Sequence, residues 1–374
     1  MEMRKLRFVA LLLALLVWTP AFAGSPIKVT FVNPSHPGSE FWATVTSFMR
    51  AAAGDLGMEL KVVYASKSSD IDRLEYIQLF EREANAPEKP DFMITHFRQG
   101  AAKTILDIAE QAGVKTFFFN TEVPADERDI VGLPRENYKT WIGHMYPDDT
   151  QAGFDLAEIL LREGTKKGLQ GEDGTLGVVG LSGNQHSVAA LNRNQGLKQA
   201  VAEQGQTLLQ IVFTKWKRPV ADELATKLMQ RFPNATIFWS ASDDIALGAL
   251  DAIKKAGKTP GQDMLVGGFD WRINALEAIQ AGEMAASGGG HFMEGGWAMV
   301  MLYDYANGVD FAGGSAQMVS RLRFLDQSNV DAYLTHFSGQ DWDKIDFRTF
   351  SKAENPELKE YDFSLAAIFQ QLDQ

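Results

Sequence analysis

Cysteine is absent from all 374 residues. That excludes a disulfide framework, a thiol nucleophile and the acylated cysteine of a bacterial lipoprotein. Basic blocks are missing as well: 36 Lys and Arg face 48 Asp and Glu, a net charge of −12. With no cluster to neutralise phosphates, nucleic acid is not an expected partner. Beyond the first 23 residues no stretch approaches the ~20 apolar residues of a membrane-spanning helix. Catalytic motifs are lacking too. Gly180-Leu-Ser-Gly183 does not have the spacing of a nucleophile elbow, and Ala256-Gly-Lys-Thr259 has Ala252 where a phosphate loop needs glycine.

What is present begins with an export signal. Arg4, Lys5 and Arg7 precede an unbroken apolar run from Phe8 to Trp18, followed by Ala21-Phe-Ala23. This layout predicts a secretory signal peptide cleaved after Ala23 and a protein in the periplasm. Loss of Arg4, Lys5, Arg7 and Glu2 takes the net charge from −12 to −14. The remaining length exceeds one domain of ~100–200 residues, so two lobes are expected.

Short β-branched or aromatic runs alternate with helical patterns throughout, as in successive βαβ units. Strands are predicted near 27–32, 58–64, 91–95, 114–119, 139–143, 175–181, 207–213, 235–239, 263–269 and 283–287, with nine helices between and after them. Gly57, Gly113, Gly205 and Gly257 stand where helices should end. The expected fold class is α/β, two doubly wound parallel-sheet lobes. Such sheets bind ligands beyond the carboxyl ends of their strands, so the loops after the strands carry the functional information.

Those loops are polar and aromatic. The first strand breaks off into Asn33-Pro-Ser-His-Pro-Gly-Ser39 before Phe41-Trp42; later loops bring Arg98, Asn120, Trp216, Ser242, Asp244, Asp270 and Trp271. Hydrogen-bonding groups and flat rings around a cleft suit a small polyhydroxylated ligand. Trp239 and Trp297 lie inside regular elements and read as core, whereas Trp42, Trp216 and Trp271 fall at strand ends and read as cleft residues. His36, His96, His144, His186 and His291 fall in loops or hinge-like segments without the close spacing of a metal motif, so no metal and no cofactor is expected. Asp243, Asp244 and Asp270 are possible acid–base groups, although acids at a helix start also serve as caps.

Four further stretches complete an ordered pattern: Ala189-x-x-x-Arg193-x-x-Gly196, Ser242-Asp-Asp-Ile-Ala-Leu-Gly-Ala-Leu250, Val266-Gly-Gly-Phe-Asp270 and Leu276-Glu-Ala-Ile-x-x-Gly282. With Asn33 and Phe41-Trp42, they make the chain from Ile27 to Gly308 resemble the type I periplasmic binding proteins of the ribose- and galactose-binding kind. More distantly the chain is similar to the autoinducer-2 receptor.

The resemblance implies that Asn33, Phe41 and Trp42 line one side of a cleft and Arg193, Trp216, Ser242, Asp244 and Asp270 the other. Ser39 and Asn120 fit the receptor-like variant, and His291 stands beside Gly290, where sugar binders commonly place glutamine. It further implies lobes of 24–143 plus 290–318 and 144–289 plus 319–374, joined by a three-segment hinge that includes Ser287-Gly-Gly-Gly290. The implied function is that of a monomeric, non-enzymatic solute-binding protein that closes on a sugar-like ligand. Its membrane partner would be an ABC-type permease or, alternatively, a sensor kinase. Substitution of Trp42 or Arg193 is expected to weaken binding with the fold intact.

Overall fold

A computed structural model describes residues 25–65 and 72–373; the expected export signal lies outside these residues. The first half of the chain alternates strictly: β1 (Lys28–Asn33), α1 (Glu40–Asp55), β2 (Glu59–Tyr64), α2 (Arg73–Ala84), β3 (Phe92–Thr95), α3 (Ala102–Ala112), β4 (Lys115–Phe119), the short α4 (Arg128–Val131) and β5 (Trp141–Pro147). The pattern then restarts with α5 (Asp149–Lys166), β6 (Gly177–Ser182), α6 (Val188–Glu203), β7 (Thr207–Phe213), α7 (Arg218–Arg231), β8 (Ala235–Ser240), α8 (Asp243–Lys255), β9 (Leu265–Phe269), α9 (Ile273–Gln280) and β10 (Ala286–Gly289). The chain returns through α10 (Glu294–Ala306) and β11 (Gln317–Ser320), then crosses again to β12 (Arg323–Leu325).

Two six-stranded sheets result, ordered β2-β1-β3-β4-β5-β11 and β7-β6-β8-β9-β10-β12. Helices cover both faces, so the central strands are mostly apolar, and β3, β6 and β9 are buried at every position. Strand order reverses between β1 and β3 in one lobe and between β6 and β8 in the other. At these switch points the following loops diverge and leave a crevice. The glycines expected at helix ends hold φ between 61° and 71°, the left-handed region that stops a helix without a Cβ clash.

All ten expected strands are present, and the structure adds β11 and β12. The added pair changes the boundaries. β5 is buried through Pro147 and pairs with β11 as far as Ser320, so the first lobe extends past the expected limits of 143 and 318. β12 runs antiparallel to β10, making the second sheet parallel except at that edge. The glycine run proves mostly a packing feature. A Cβ on Gly288 would meet the rings of Phe269 and Phe324, and one on Gly289 the Trp271 indole; only Gly290, at φ 99°, needs left-handed backbone.

Residues 319–374 were expected in the second lobe, but they divide between the two. α11 (Val330–Phe337) packs there, with Tyr333 against Trp271 at 5.1 Å and Asp331 accepting from Gln280 on α9. The chain then passes to the first lobe. Trp342 and Phe347 pack edge-on against Phe48 of α1, and Phe363 stacks on Trp297 of α10 at 4.7 Å. The tail is rich in aromatic rings, and those beyond α11 bury largely against α1 and α10. Asp304 of α10 fastens it further by accepting from the Ser351 hydroxyl, the Lys352 and Ala353 amides and the Tyr361 hydroxyl. Asp304→Ala strands these donors and should cost at least ~1–3 kcal/mol. Limited proteolysis should then cut first beyond residue 340; an unchanged cleavage pattern would mean the rings alone hold the tail.

Candidate functional site

Loops from both lobes enclose a cleft of about 1190 Å³ beyond the strand ends. One wall begins at the broken end of β1. Asn33 is fully buried and does not reach the cleft: its Oδ1 accepts from the Ser35 amide at 2.9 Å, and its Nδ2 donates to Thr46 Oγ1 at 3.2 Å. It therefore corrects the expectation of a ligand contact. Asn33 ties the loop to α1, and Thr46 in turn donates to the Trp42 carbonyl. The side chains held in place are Ser39, Phe41 and Trp42, all on the cleft wall. Trp42 is packed edge-on against Phe41, His96 and Phe119, which fixes its plane.

Arg98 and Asn120 continue this wall from the ends of β3 and β4. Asn120 adopts φ 65°, a conformation Asn tolerates better than most residues, and its Nδ2 donates to the His291 carbonyl at 3.2 Å. The Asn120 amide donates to Glu294 at 3.0 Å, and Glu294 also accepts from Ser320. Glu294 thus joins two of the interlobe crossings.

Across the cleft, Trp216 stands on a loop in which both Lys215 (φ 57°) and Trp216 (φ 61°) are left-handed. Its ring lies against Gly183, where any Cβ would collide with it. Ser242 lines the cleft and caps α8 through the Ile245 amide. Asp243 faces inward instead, accepting from Ser287 Oγ and the Arg272 amide, so its role is structural. Trp271 is the second correction. With φ values of 112° at Asp270 and 54° at Trp271, the chain turns back and lays the indole over Gly289. There its Nε1 donates to the Ser287 carbonyl at 3.0 Å, and the residue is 2% exposed. Trp239 and Trp297 are core residues, as expected.

A buried ionic group forms the floor. Arg193 Nε donates to Asp149 at 2.7 Å, its Nη1 to the Ala241 carbonyl at 2.8 Å, and its plane lies over Phe269. The remaining nitrogen, Nη2, is 3.4 Å from His291 Nε2, which is also 3.2 Å from Asp270 Oδ1. His291 stacks on Phe41 at 5.0 Å and has a buried Nδ1 with no partner among the described residues. Burial, followed by Arg193, pushes its pKa down to about 3, so the ring is neutral. His96 and His144 are also pushed to about 3 by burial; the His144 Nε2–H donates to the Thr121 carbonyl inside the first lobe. Burial acts on the acids in the opposite sense. It raises Asp270 to about 7 against the pull of Arg193, and it raises Asp244 to about 6 with help from the Asp270 charge.

The lobes touch across the cleft. Glu40 pairs with Arg272, and Asn192 Nδ2 donates to Glu122 at 3.0 Å. The sequence brought the strand-end residues to attention but missed Asp72, Arg73 and Asp126, which also line the cleft. Asp72 and Arg73 open α2 after β2, a strand end whose loop shows no aromatic or fork-shaped cluster.

A pH dependence follows. A carboxylic acid raised by burial stabilises the fold while protonated, and that contribution falls away as pH rises from ~4 through the raised value. Any ligand group that donated a hydrogen bond to Asp270 or Asp244 would favour the charged form. Binding should therefore release protons below pH 7, and affinity should climb from pH 5 to 7 and then level. Calorimetry in buffers of different ionisation enthalpy checks this; proton uptake would mean that the ligand meets these acids protonated.

Two doubly wound lobes around a polar, ring-lined cleft define a bilobal ligand-binding fold. The chain belongs to the periplasmic binding protein domain family, whose model matches residues 29–310. The galactofuranose-binding protein of Escherichia coli is 30% identical over 271 residues, 70% of this chain and 77% of that protein. The D-allose-binding periplasmic protein of the same organism is 25% identical over 286 residues, 75% of this chain and 84% of its own. A periplasmic sugar-binding protein from Pseudomonas fluorescens superposes with a TM-score of 0.81 at 31% identity, covering 93% of this chain and 100% of that one. Such coverage requires part of the segment beyond Leu325, so that neighbour shares at least some of the tail.

Proposed function

We propose that this protein captures a carbohydrate or sugar derivative in the periplasm by closing its lobes, and delivers it to an ABC-type importer without performing chemistry. The carrying observation is the composition of the cleft: opposed aromatic faces, Phe41 and Trp42 on one lobe and Trp216 on the other, with Ser242, Asp244, Asp270 and His291 between them. Rings accept the C–H faces of a sugar, and the polar groups accept or donate to its hydroxyls. The sugar-binding relatives support the same reading. In it the lobes move as a monomer about the crossings after Pro147, at Gly290 and between Ser320 and Arg323.

Mass spectrometry of ligand released from purified, denatured protein tests the proposal and should return a carbohydrate. Trp42→Ala and Trp216→Ala should each weaken its binding by ~1–3 kcal/mol, the scale of a lost ring face within a packed site. Scattering should show a smaller radius of gyration with ligand bound. A released compound without a sugar unit would sink the reading, and steady turnover of the ligand would replace it with an enzyme.

A further inference from the structure

We propose that the outer half of the cleft is a second subsite holding a negatively charged group of the ligand, which is then a sugar carrying an acidic substituent or aglycone. This rests on the carbohydrate reading above and goes beyond it in size and charge.

Size is the first argument. A hexose displaces on the order of 200 Å³, judged from ~30 Å³ per water, and pockets for larger organic ligands span ~300–1,000 Å³. The cleft measures about 1190 Å³. Lobe opening does not explain the excess, because Glu40–Arg272, Asn192–Glu122 and His291–Asp270 already bridge the lobes.

Charge separation is the second argument. Asp270, largely buried, and Asp244, half-buried, suit hydroxyl donors and disfavour an anion in their part of the cleft. Arg73 and Arg98 of the first lobe and Lys215 and Lys217 of the second line the more exposed part of the cleft, Arg73 and Lys215 exposed and Arg98 and Lys217 half-buried. Four cations gather there in a chain of net charge −12. The other acids lining the cleft are Asp72, Asp126 and Glu40; the Asp72 carboxylate caps α2 through the Leu74 and Glu75 amides, and Glu40 pairs with Arg272. Arg98 is half-buried, and burial depresses its pKa; Tyr76 and Asp72 offset part of that cost, Arg73 adds a little to it, and an anionic ligand would offset the rest. The loop is shaped for the pair: Gly100, at φ 71°, leaves open the space occupied by the Arg73 guanidinium. Arg193 cannot be the anion fork, since Asp149 and Ala241 take two of its nitrogens.

The experiment uses the full mature chain and neutral/acidic pairs: glucose with glucose 1-phosphate, glucosylglycerol with glucosylglycerate, and a neutral disaccharide with its uronic-acid counterpart. Calorimetry should show at least one acidic member binding ten-fold or more tightly than its neutral partner. That advantage, read as the ratio of acidic to neutral affinity, should shrink in 0.5 M salt and in Arg98→Gln or Arg73→Gln. The phosphate and carboxylate arms separate the two sources of charge. If a neutral monosaccharide binds as tightly as every acidic probe, or no acidic probe binds, the inference falls and sugar capture stands. Release of a non-carbohydrate ligand overturns both.

Discussion

Asp149→Ala should destabilise the protein by about 3–5 kcal/mol and remove ligand binding with it. Asp149 and Arg193 are both almost fully buried and meet at 2.7 Å, so deleting the acid leaves a guanidinium charge without its main partner in a low-dielectric interior. Arg193→Ala removes the charge but strands Asp149 in the same way. The expectation of an Arg193 variant with an intact fold therefore needs revision: the side chain serves stability as well as the cleft. A double change, Asp149→Leu with Arg193→Met, separates the two roles. Removing both charges together should restore much of the stability in chemical denaturation. Binding should stay lost. If either single variant unfolds at the wild-type denaturant midpoint, the pair is not the anchor described.

Gly196→Ala should be nearly as damaging, although it adds a single methyl group. α5 and α6 cross backbone to backbone: a Cβ on Gly196 would fall on the Thr150 carbonyl and the Phe154 amide, and one on Gly153 on the Arg193 carbonyl. Backbone cannot rotate aside as a flexible side chain can, so the helices must separate, at about 3 kcal/mol or more. α5 carries Asp149 and α6 carries Arg193; separating them pulls at the buried pair. Gly54→Ala on α1 is the control, because its Cβ would meet nothing within 4 Å. It should gain up to ~1 kcal/mol from helix propensity. Equal effects of the two substitutions would show that the crossing relaxes freely.

Much of this architecture could be read before any coordinates. The βαβ rhythm is written in apolar runs that need no context, and the rule that parallel sheets bind at their strand ends led to Phe41, Trp42, Arg98, Trp216 and Asp270 on the cleft wall. What failed was direction. Asn33 and Trp271 occupy the expected strand ends, yet a buried Asx-type turn consumes one side chain and two left-handed residues swing the other into the core. Linear sequence states where a residue lies along the chain, while φ/ψ values set by tertiary packing decide which way it points. β11 and β12 escaped for another reason. Gln317-Met-Val-Ser320 and Arg323-Phe-Leu325 are too short to show a period, and only the neighbouring strands β5 and β10 recruit them.

The course of the carboxy-terminal segment bears on how such a protein could be turned into a sensor. Between α11 on one lobe and Trp342 on the other, Ser338–Asp341 forms a fourth strap beside the three hinge crossings, and Gln340 within it is left-handed at φ 51°. Any rotation of the lobes has to stretch or coil these four residues. A fluorophore placed on the strap would report angular displacement from a point remote from the ligand, with no dye competing for the cleft.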